Sequence, residues 1–392
     1  MHKPLTVARL AVARLHDNGS IKKHNYLVPH GNAVVARSNI AARRRDQTFH
    51  IRCNKKRFCT LFCKLTNKVS INMNPFLYRL LLPRRYKHYL SLAEGDKDKC
   101  HETLRYGTYY EEYDRFDFAH KSREERDEYV TDAYRNKLCR RINDAAQQAI
   151  VMDKYRTADL FRDYYRREFI LCSSLMDEEV FVGMGLKFGT LVAKPVDACG
   201  GRGIRILKES DQQGWCARFA ELMADSHRYI VEELIVQDPF MARWNPSSVN
   251  TVRLNTINSK GRIAFLSANM RCGSQGAFVD NCVQGGYCAN IDPTTGLVIT
   301  TASGNEIGRH YCMHPDSGIP FQGEQIPRWE ELLDAAAQMA RRLDKTAYVS
   351  WDFALAAQGW TLVEANKGEL IADQVNLGHG LRKELLRLSN EL

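Results

Sequence analysis

The chain has 392 residues, enough for two or three domains with substantial hydrophobic cores, so its size does not require disulfides or a structural metal. Its formal net charge at pH 7 is +10, but residues 1–72 alone hold 15 Lys and Arg residues and only two acidic ones. Residues 73–392 therefore carry 41 basic against 44 acidic residues, a balance that argues against nucleic-acid binding by the body of the protein.

The cysteines and the hydropathy pattern indicate the cellular compartment of the protein. Its 12 cysteines lack a repeated CxxC pair, and Cys53, Cys59 and Cys63 are not spaced like zinc-knuckle ligands. No apolar run of about 18 residues occurs, and the start of the chain has no continuous apolar segment of the kind found in signal peptides. We therefore expect a reduced, cytoplasmic protein without a membrane span.

Residues 1–72 lack sustained hydrophobic periodicity and are rich in Asn, His, Arg and Lys. Three interpretations remain open: a disordered basic arm that contacts phosphate backbones, a basic transit-type leader, and upstream sequence translated from a misplaced start. We favour the third because the character of the sequence changes abruptly at Met73. No function is assigned to this extension.

Residues 73–150 are predicted to form a charged helical region. In its second half Tyr129, Ala133, Leu138 and Ile142 recur at helical intervals, with charged residues between them. This pattern predicts a helix that packs through one apolar face.

From residue 151 onward, helical runs alternate with short β-type segments. The strongest strand signals come from FILCSS, TLVAKP, GIRIL and YIVEELIV, and QQGWCARFAELMADS is predicted to be a helix. Two hairpins follow, with predicted turns at Ser259–Gly261 and Asp292–Gly296, and then the helix WEELLDAAAQMARRLD. Antiparallel hairpins interleaved with helices indicate an α+β fold rather than a parallel doubly wound sheet.

The segment TLVAKPVDACGGRGIRIL has the form strand, glycine loop, strand. Such a loop lets backbone N–H groups close over phosphates, although a plain hairpin turn uses glycine for the same steric reason. Its residues are Gly200, Gly201, Arg202 and Gly203. Lys194 ends the first strand and Lys154 lies 40 residues upstream. Both are candidates for binding nucleotide phosphates, unless each side chain simply extends to solvent.

The strand YIVEELIV ends in Glu232 and Glu233, which are followed by Leu234 and Ile235. Purine sites often read adenine through the backbone groups of such a segment and use a carboxylate for the ribose or the amino group. Adjacent glutamates at a strand end are also found exposed to solvent. The segment is therefore a candidate adenine site with an open alternative.

Two arginines lie on later predicted strands. Arg253 alternates with the apolar residues Val252 and Leu254, and Arg271 lies at the end of the next strand. The alternation places them on the face opposite the core. An arginine at a reaction centre neutralises a phosphoryl group during transfer, whereas an exposed strand arginine contributes almost nothing.

The most informative segment is WDFALAAQGWTLVEANKG, which is predicted to be a hairpin. A three-residue turn at Ala357–Gly359 would bring Asp352 opposite Glu364 and put Asn366 on the same face. The intervening residues are expected to form a buried apolar layer, namely Trp351, Phe353, Val363 and Ala365. Two carboxylates and an amide oxygen suit a Mg²⁺ ion that bridges nucleotide phosphates. The alternative is a hairpin with a solvated polar face.

The order of these features resembles the ATP-grasp fold over about residues 150–380: lysine, lysine on a strand, glycine loop, strand ending in glutamates, and a late hairpin with Asp, Glu and Asn. Four segments are similar to the sugar-transfer-associated branch of that superfamily, which is also linked to glutamate-ligase-like proteins. They are NPSSVNTVRLNTI, DNCVQGGYCANIDPTTG, HPDSGIPFQGEQIPRW and WDFALAAQGWTLVEANKG.

The resemblance implies two α+β subdomains that clasp ATP, preceded by the helical region and the basic extension. The expected boundaries are 1–72, 73–150, 151–236 and 237–385. It also implies ATP and Mg²⁺ as cofactors. The phosphates would be held by Lys154, Lys194 and a flap at Gly200–Gly203, the adenine by Glu232–Ile235, and Mg²⁺ by Asp352, Glu364 and Asn366.

Two features depart from the family pattern. Ser350 stands where many members have an arginine, so Arg253 or Arg271 must take that role or it is unfilled. An N-terminal α/β substrate domain is replaced by residues 73–150, which leaves acceptor binding undefined. The candidates for substrate contacts are Asn281, Gln284, Gly285 and Gly286, where a structural glycine turn is an equally good explanation.

By resemblance, the expected function is that of a ligase in cell-surface polysaccharide biosynthesis. The substrate carboxylate would attack the γ-phosphate to give an acyl phosphate, and an amine or thiol acceptor, sugar-linked in this branch, would displace the phosphate. Three alternatives remain open: a kinase of a sugar or related hydroxyl substrate, a nucleotide-binding protein without turnover, and a nucleic-acid-binding protein that uses the basic N-terminus.

Overall fold

The structure of the protein is a computed structural model. It describes residues 7–15, 21–29, 75–198, 200–225 and 227–390. The chain divides into two compact units, Met1–Leu65 and Thr66–Leu392. In the first unit, strands β1 (Val7–Leu15) and β2 (Ile21–Pro29) form an antiparallel hairpin. The rest of the basic extension, with Cys53, Cys59 and Cys63, lies outside the described residues, so its interpretation stays a prediction.

The N-terminal region of the second unit is helical, as predicted. Its helices are α1 (Pro75–Leu81), α2 (Pro83–Leu92), α3 (Lys97–Tyr106), α4 (Tyr110–Arg115), α5 (Arg123–Asp127), α6 (Asp132–Ile142) and α7 (Ala145–Val151). The prediction of one helix running from Tyr129 to Ile142 is wrong. The Thr131 hydroxyl accepts a hydrogen bond from the N–H of Tyr134 and starts α6 there, so Tyr129 lies in the preceding loop.

A four-stranded antiparallel sheet follows helices α8 (Lys154–Leu160) and α9 (Arg162–Tyr165). Its strands are β3 (Phe169–Cys172), β4 (Thr190–Pro195), β5 (Arg205–Lys208) and β6 (Tyr229–Glu233), in the order β3-β6-β4-β5. The packed helices are α10 (Glu178–Phe188) and α11 (Gln212–Met223). Phe181 and Trp215 fill the core between helices and sheet. All four predicted strands are confirmed.

A seven-stranded antiparallel sheet forms the rest of the fold. Its strands are β7 (Thr251–Ser259), β8 (Arg262–Cys272), β9 (Tyr287–Ile291), β10 (Ala302–Ser303), β11 (His310–Tyr311), β12 (Tyr348–Ala356) and β13 (Gly359–Asn366), in the order β11-β10-β9-β8-β7-β12-β13. The remaining helices are α12 (Pro239–Ala242), α13 (Trp329–Arg342), α14 (Ile371–Leu377) and α15 (Arg382–Asn390). Leu332 and Met339 of α13 pack into the main hydrophobic core with Val252 and Trp351.

The two hairpins predicted before α13 differ in outcome. The turn between β7 and β8 lies at Lys260 and Gly261, as predicted. The prediction of a hairpin around Asp292–Gly296 is only partly correct. After the turn, the chain returns to Ile291 through a single isolated bridge at Val298 and does not form a full second strand. The two-residue strand β10 pairs with β9 farther along.

In the hairpin of β12 and β13, Asp352 pairs with Glu364, as predicted, but the turn and the register near it differ from the prediction. Its turn has two residues, because Ala356 pairs with Gly359 rather than with Trp360. A bulge next to Asp352 inserts one extra residue in β13 and restores the register. The prediction that Val363 is buried is wrong for the same reason, since Leu362 takes the fully buried position.

The mixed sheets and helices make the fold α+β, as predicted. Of the helices that the structure describes, none is both long and apolar enough to cross a membrane.

Candidate active site

A row of polar side chains crosses the seven-stranded sheet on the face away from the main core. Strand β7 lies between β8 and β12, and its Arg253 pairs with Asn269 on one side and with Asp352 on the other. Asp352 pairs in turn with Glu364 of β13. Side chains at paired positions share a face, so residues distant in sequence collect on one surface.

Asp352 is the centre of this row and has only 2% of its surface exposed. Arg253 donates from Nε to Oδ1 at 2.6 Å and from Nη2 to Oδ2 at 2.7 Å. Arg271 donates from Nη1 to Oδ2 at 3.0 Å. Burial alone raises the pKa of Asp352, but the two guanidinium groups hold that pKa below its ordinary value. The carboxylate is therefore ionised.

Further carboxylates fix the two arginines. Arg253 forms an ion pair with Glu369, and Arg271 Nη2 lies 3.2 Å from Oδ1 of Asp280. The Thr251 hydroxyl donates to the other oxygen of Asp280. Burial raises the pKa of Asp280, and Arg271 opposes that rise. This network orients both guanidinium groups before any ligand binds.

Glu364 and Asn366 continue the polar surface along β13. Asn366 Nδ2 donates to Glu364 Oε1 at 3.2 Å, and Lys154 Nζ lies 3.7 Å from Glu364 Oε2. Glu364 lies directly opposite Asp352 on the neighbouring strand, and both residues line the same cleft. Two carboxyl groups at paired strand positions repel each other when both are ionised, so a cation between them is favoured.

These three residues fit a Mg²⁺ ion that takes its other ligands from phosphates and water. Mg²⁺ is usually held by one or two carboxylates and retains several waters. Asp352 and Glu364 supply the carboxylates, and Asn366 supplies an amide oxygen. The described part of the chain contains no group of three or more His, Cys, Asp or Glu that could hold a metal ion. The site is thus not a self-contained metal cage, and any ion there shares Asp352 with the two arginines.

Lys194 and Glu232 form a buried ion pair on the four-stranded sheet, with Lys194 Nζ 2.5 Å from Glu232 Oε1. Arg167 Nη2 lies 3.2 Å from Glu232 Oε2, and the Tyr165 hydroxyl donates to the same oxygen. Burial lowers the pKa of Lys194, against the attraction of Glu232. Burial raises the pKa of Glu232, but Arg167 and Lys194 lower it overall. The anionic partner expected for a buried lysine is therefore Glu232.

The glycine loop lies close to both sheets. Gly200, Gly201 and Gly203 have φ angles of +68°, +72° and +74°, a region that side chains disfavour. Gln284 Nε2 donates to the carbonyl of Gly200 at 2.6 Å. Lys154 donates from Nζ to the carbonyl of Ala198, just before the loop. The loop thus connects β4 and β5 of one sheet to residues beside the other.

A cleft lies between the two sheets, and we name it the first cleft. Its lining includes the charged residues Lys194, Glu232, Arg271, Asp280, Asp352 and Glu364. Its other walls are largely apolar, formed by Val192, Ile204, Leu234, Ile235, Val249, Phe278 and Val363. Apolar walls with a few convergent polar groups are typical of small-molecule sites.

A second, larger cleft opens beside the first. Arg271, Asn281 and Glu364 line both clefts. Helices α4 and α6 of the N-terminal region and α14 form further walls of the second cleft. The charged row therefore lies at the junction of two adjoining spaces.

The predicted site residues mostly converge on these clefts. The first cleft is lined by Lys194, Gly201, Glu232, Leu234, Ile235, Arg271, Asp352 and Glu364, and the second by Gly200, Arg253 and Asn366. Lys154 reaches the same place through Glu364. Arg202, Gly203 and Glu233 line neither cleft, and the Glu233 carboxylate instead accepts from the N–H of Glu168 at 3.3 Å.

Three residues of the site were missed in the sequence, namely Arg167, Asp280 and Glu369. Arg167 and Glu369 enter through tertiary ion pairs with residues far away in the chain. Arg271 and Asp280 are closer in sequence. Their contact depends on the fold of residues 273–286, which brings the Asp280 carboxylate back to Arg271 on β8. For these three residues, the sequence offered one indication, which is that Asp280 directly precedes Asn281, a candidate for substrate contact.

Comparisons with known proteins identify similar chains. A family model described as sugar-transfer-associated ATP-grasp matches residues 133–390. A similar solved structure is D-alanyl-alanine synthetase A from Vibrio cholerae O1 biovar eltor str. N16961, with 10% identity and a TM-score of 0.41 over 63% of this chain and 66% of that one. No curated protein matches the chain.

Two further solved structures are similar. The ATP-grasp ligase PsnB, complexed with minimal precursor, Mg and ADP, has 16% identity and a TM-score of 0.38, over 66% of each chain. The D-cycloserine synthetase DcsG has 15% identity and a TM-score of 0.39, over 66% of this chain and 78% of that one. The match spans slightly less than two thirds of the synthetase A and PsnB chains.

Proposed function

Because the chain belongs to the sugar-transfer-associated ATP-grasp family, we propose that it is an ATP- and Mg²⁺-dependent ligase. In the proposed reaction a substrate carboxylate attacks the γ-phosphate of ATP, which yields an acyl phosphate and ADP. An amine or thiol then forms a bond to the acyl carbon and loses a proton to water, and phosphate leaves with the electron pair of the broken carbon–oxygen bond.

One observation carries this proposal: a metal-type pair of carboxyl groups and two oriented arginines lie at the junction of two clefts. Asp352 and Glu364 occupy paired positions on neighbouring strands, and Arg253 and Arg271 both donate to Asp352. Phosphoryl transfer has little covalent chemistry for a protein to perform, so catalysis depends on positioning and on positive charge at the transferred group. This junction offers both.

Lys154 and Lys194 are proposed to bind the nucleotide phosphates. Lys194 is held by Glu232 in the first cleft, and Lys154 lies beside Glu364 and the start of the glycine loop. The loop residues Gly200–Gly203 are proposed to close over the phosphates, because the backbone N–H groups of its glycines have no Cβ atom beside them to block a close approach.

The adenine is proposed to lie against the apolar wall of the first cleft, next to Leu234 and Ile235. The N–H groups of these two residues donate to no other backbone group in the described part of the chain. Free N–H groups beside apolar surface suit the edge and face of a purine ring.

Asp352, Glu364 and Asn366 are the residues that would hold Mg²⁺. When bound, the ion would offset the negative charge of the β- and γ-phosphates. Arg253 and Arg271 are proposed to neutralise the transferred phosphoryl group, the role left open by Ser350. The apolar first cleft would limit the access of water to the acyl phosphate.

The family and the sequence resemblance favour a sugar-linked substrate from cell-surface polysaccharide biosynthesis. A cytoplasmic location fits an ATP-consuming enzyme, and the eight cysteines in the described part of the chain are all free. A binding role without turnover is less favoured, since two arginines lie where the missing one is needed.

The proposal is tested first with the full-length protein and its thermal unfolding. ATP with Mg²⁺ should raise the melting temperature, because a ligand that binds only the folded state stabilises it. The isosteric double variant Asp352→Asn with Glu364→Gln should lose the Mg²⁺-dependent part of this shift. Glu306→Gln, an exposed carboxylate paired with Arg309, serves as the matched control and should keep it.

Turnover is then tested by ADP release with a panel of carboxylates and hydroxylamine as a general nucleophile. A ligase forms an acyl hydroxamate from the acyl phosphate, whereas a kinase releases ADP without hydroxamate and without any response to added amine. Release of ADP with no hydroxamate from any carboxylate would replace the ligase proposal by the kinase alternative.

A further inference from the structure

The second cleft contains two buried hydrogen-bond acceptors that no described residue satisfies. They are Oδ1 of Asp373 on α14 and Oδ1 of Asn269 on β8. The two residues have 1% and 2% of their surface exposed, and both line this cleft. Asn269 uses its amide nitrogen to donate to Oδ2 of Asp373 at 3.1 Å, which leaves both remaining oxygens without a donor. Buried polar atoms of this kind are costly unless a ligand or water bonds to them.

Asp373 also forms no ion pair with any residue that the structure describes. The second cleft has four arginines, each of which already contacts a carboxylate: Arg115 with Glu111, Arg135 with Asp132, Arg253 with Asp352 and Glu369, and Arg271 with Asp280 and Asp352. Burial raises the pKa of Asp373, and Arg253 opposes this rise only in part. The ionised form of this buried carboxylate would therefore be stabilised by a further cation from outside.

The charge of the whole cleft points in the same direction. Its lining includes six carboxylates, those of Glu111, Glu112, Asp132, Glu364, Glu369 and Asp373, against the four guanidinium groups. Burial raises the pKa of Glu112 to about 7 and also raises the pKa of Asp132 and Asp373, which reduces the negative charge that these groups carry by themselves. A positively charged group beside them would lower these pKa values and stabilise the ionised carboxylates.

The position of Asp373 suits the acceptor of the proposed reaction. Asn269, its hydrogen-bond partner, pairs with Arg253, and Arg253 pairs with Asp352 on the next strand. Two strand spacings place Asn269 roughly 10 Å from Asp352, the length of a small molecule. Helices α4 and α6 also line this cleft, so the N-terminal helical region contributes to it.

We propose that the floor of the second cleft binds the ammonium group of an amine acceptor, with Asp373 as its ion-pair partner and the Asn269 side-chain oxygen as a second acceptor. The assignment of this ligand as the acceptor rests on the proposed ligase function, in which the bound ammonium group gives up a proton to the Asp373 carboxylate or to water before the neutral amine attacks the acyl phosphate. Its chemical class is a protonated amine, which excludes a thiol or a neutral hydroxyl compound as the preferred ligand of this subsite.

The test uses the full-length protein with ADP and Mg²⁺ at pH 7, and amines matched with neutral isosteres. Ethanolamine is compared with ethylene glycol, and glucosamine with glucose, by the concentration that half-saturates the shift in melting temperature. Each ammonium compound should bind at least tenfold more tightly than its neutral counterpart. Equal binding within a pair, or no shift with either amine, would overturn the proposal.

In Asp373→Asn, the ratio of the half-saturating concentration of the neutral compound to that of the ammonium compound should fall to near one. Asp373→Glu keeps the charge and should retain part of the preference for the ammonium compound. Asp334→Asn, a carboxylate on α13 outside both clefts, is the control and should keep the full preference. The shift given by ATP and Mg²⁺ shows that each variant is folded. An Asp373→Asn protein that is folded and still prefers amines would contradict the assignment.

The outcomes separate this proposal from the ligase proposal. The absence of hydroxamate from every carboxylate would contradict the ligase while the amine binding data stand on their own. Hydroxamate formation without amine preference would support the ligase and remove Asp373 as the ammonium partner.

Discussion

Arg253 lies directly opposite Asp352 across strands β7 and β12, and its guanidinium group donates to both oxygens of that carboxylate at 2.6 and 2.7 Å. The two residues are 99 positions apart in sequence. Ser350, two residues before Asp352, is the position that an arginine takes in the related pattern. A guanidinium group thus reaches Asp352 from the neighbouring strand, and we propose that it takes the role of that arginine.

Replacement of Arg253 by lysine should reduce the rate of ADP release about a hundredfold or more. Lysine keeps the charge but loses the two-pronged contact that orients it, and an oriented charged group at a reaction centre contributes about 10²–10³ in rate. The melting shift with ATP and Mg²⁺ should persist, which separates rate from binding. Arg309→Lys, on an exposed pair, is the control. An Arg253→Lys enzyme with more than about a tenth of the wild-type rate would contradict the role.

Glu232→Gln should destabilise the fold by about 3–5 kcal/mol, as expected when one member of a buried ion pair is removed. The change leaves Lys194 and Arg167 buried without their shared carboxylate. The adjacent variant Glu233→Gln is a matched control, since that side chain is partly exposed, and it should change stability by less than about 0.5 kcal/mol. Urea denaturation measures both. Equal effects at the two positions would mean that Glu232 does not anchor the lysine.

Gly201→Ala should weaken ATP binding about tenfold, because a Cβ atom there would lie 2.9 Å from Nε2 of Gln284 and would crowd the first cleft. Gly276→Ala separates this effect from backbone strain, since Gly276 also has a positive φ, +76°, but a Cβ atom added there would meet nothing within 4 Å. Isothermal titration with a slowly hydrolysed ATP analogue gives the two affinities. If both variants bind equally well, the loop does not cover the phosphates.

The strands around the site follow from local patterns. Alternation of apolar and polar residues along β7 and β12 places Arg253 and Asp352 on one face, and that face is visible in the sequence. The pairing of Asp352 with Glu364 was predicted correctly, although the predicted turn was one residue too long. A bulge offset the error, and a bulge cannot be located from alternation alone.

The second cleft could not be predicted in the same way. Asp373 lies on α14, which is only seven residues long and too short to show a clear helical period in the sequence. Its contact with Asn269 joins residues 104 positions apart, so no local pattern connects them. The helical region 73–150 has an ordinary amphipathic pattern, which indicates packing but not that α4 and α6 line a cleft.

Glu112 gives a prediction for the pH dependence of stability. It is almost fully buried and accepts hydrogen bonds from the N–H groups of Tyr109 at 2.8 Å and Asp132 at 2.6 Å. Burial outweighs these bonds and raises the pKa of Glu112 from 4.5 to about 7. The folded protein therefore keeps this proton up to about pH 7, whereas the unfolded chain releases it near pH 4.5.

It follows that Glu112 favours folding most at low pH, and that this contribution is lost as the pH rises from about 4.5 to 7. In Glu112→Gln, which does not titrate, the loss should be absent. The free energy of unfolding of the wild type minus that of Glu112→Gln should thus decrease by about 2–3 kcal/mol between pH 4.5 and pH 8, at roughly 1.4 kcal/mol per pKa unit. Urea denaturation at several pH values measures this difference. Glu111→Gln, an exposed neighbour in α4, is the control and should keep the wild-type pH dependence. A difference between wild type and Glu112→Gln that stays constant with pH would show that burial does not shift this carboxyl group.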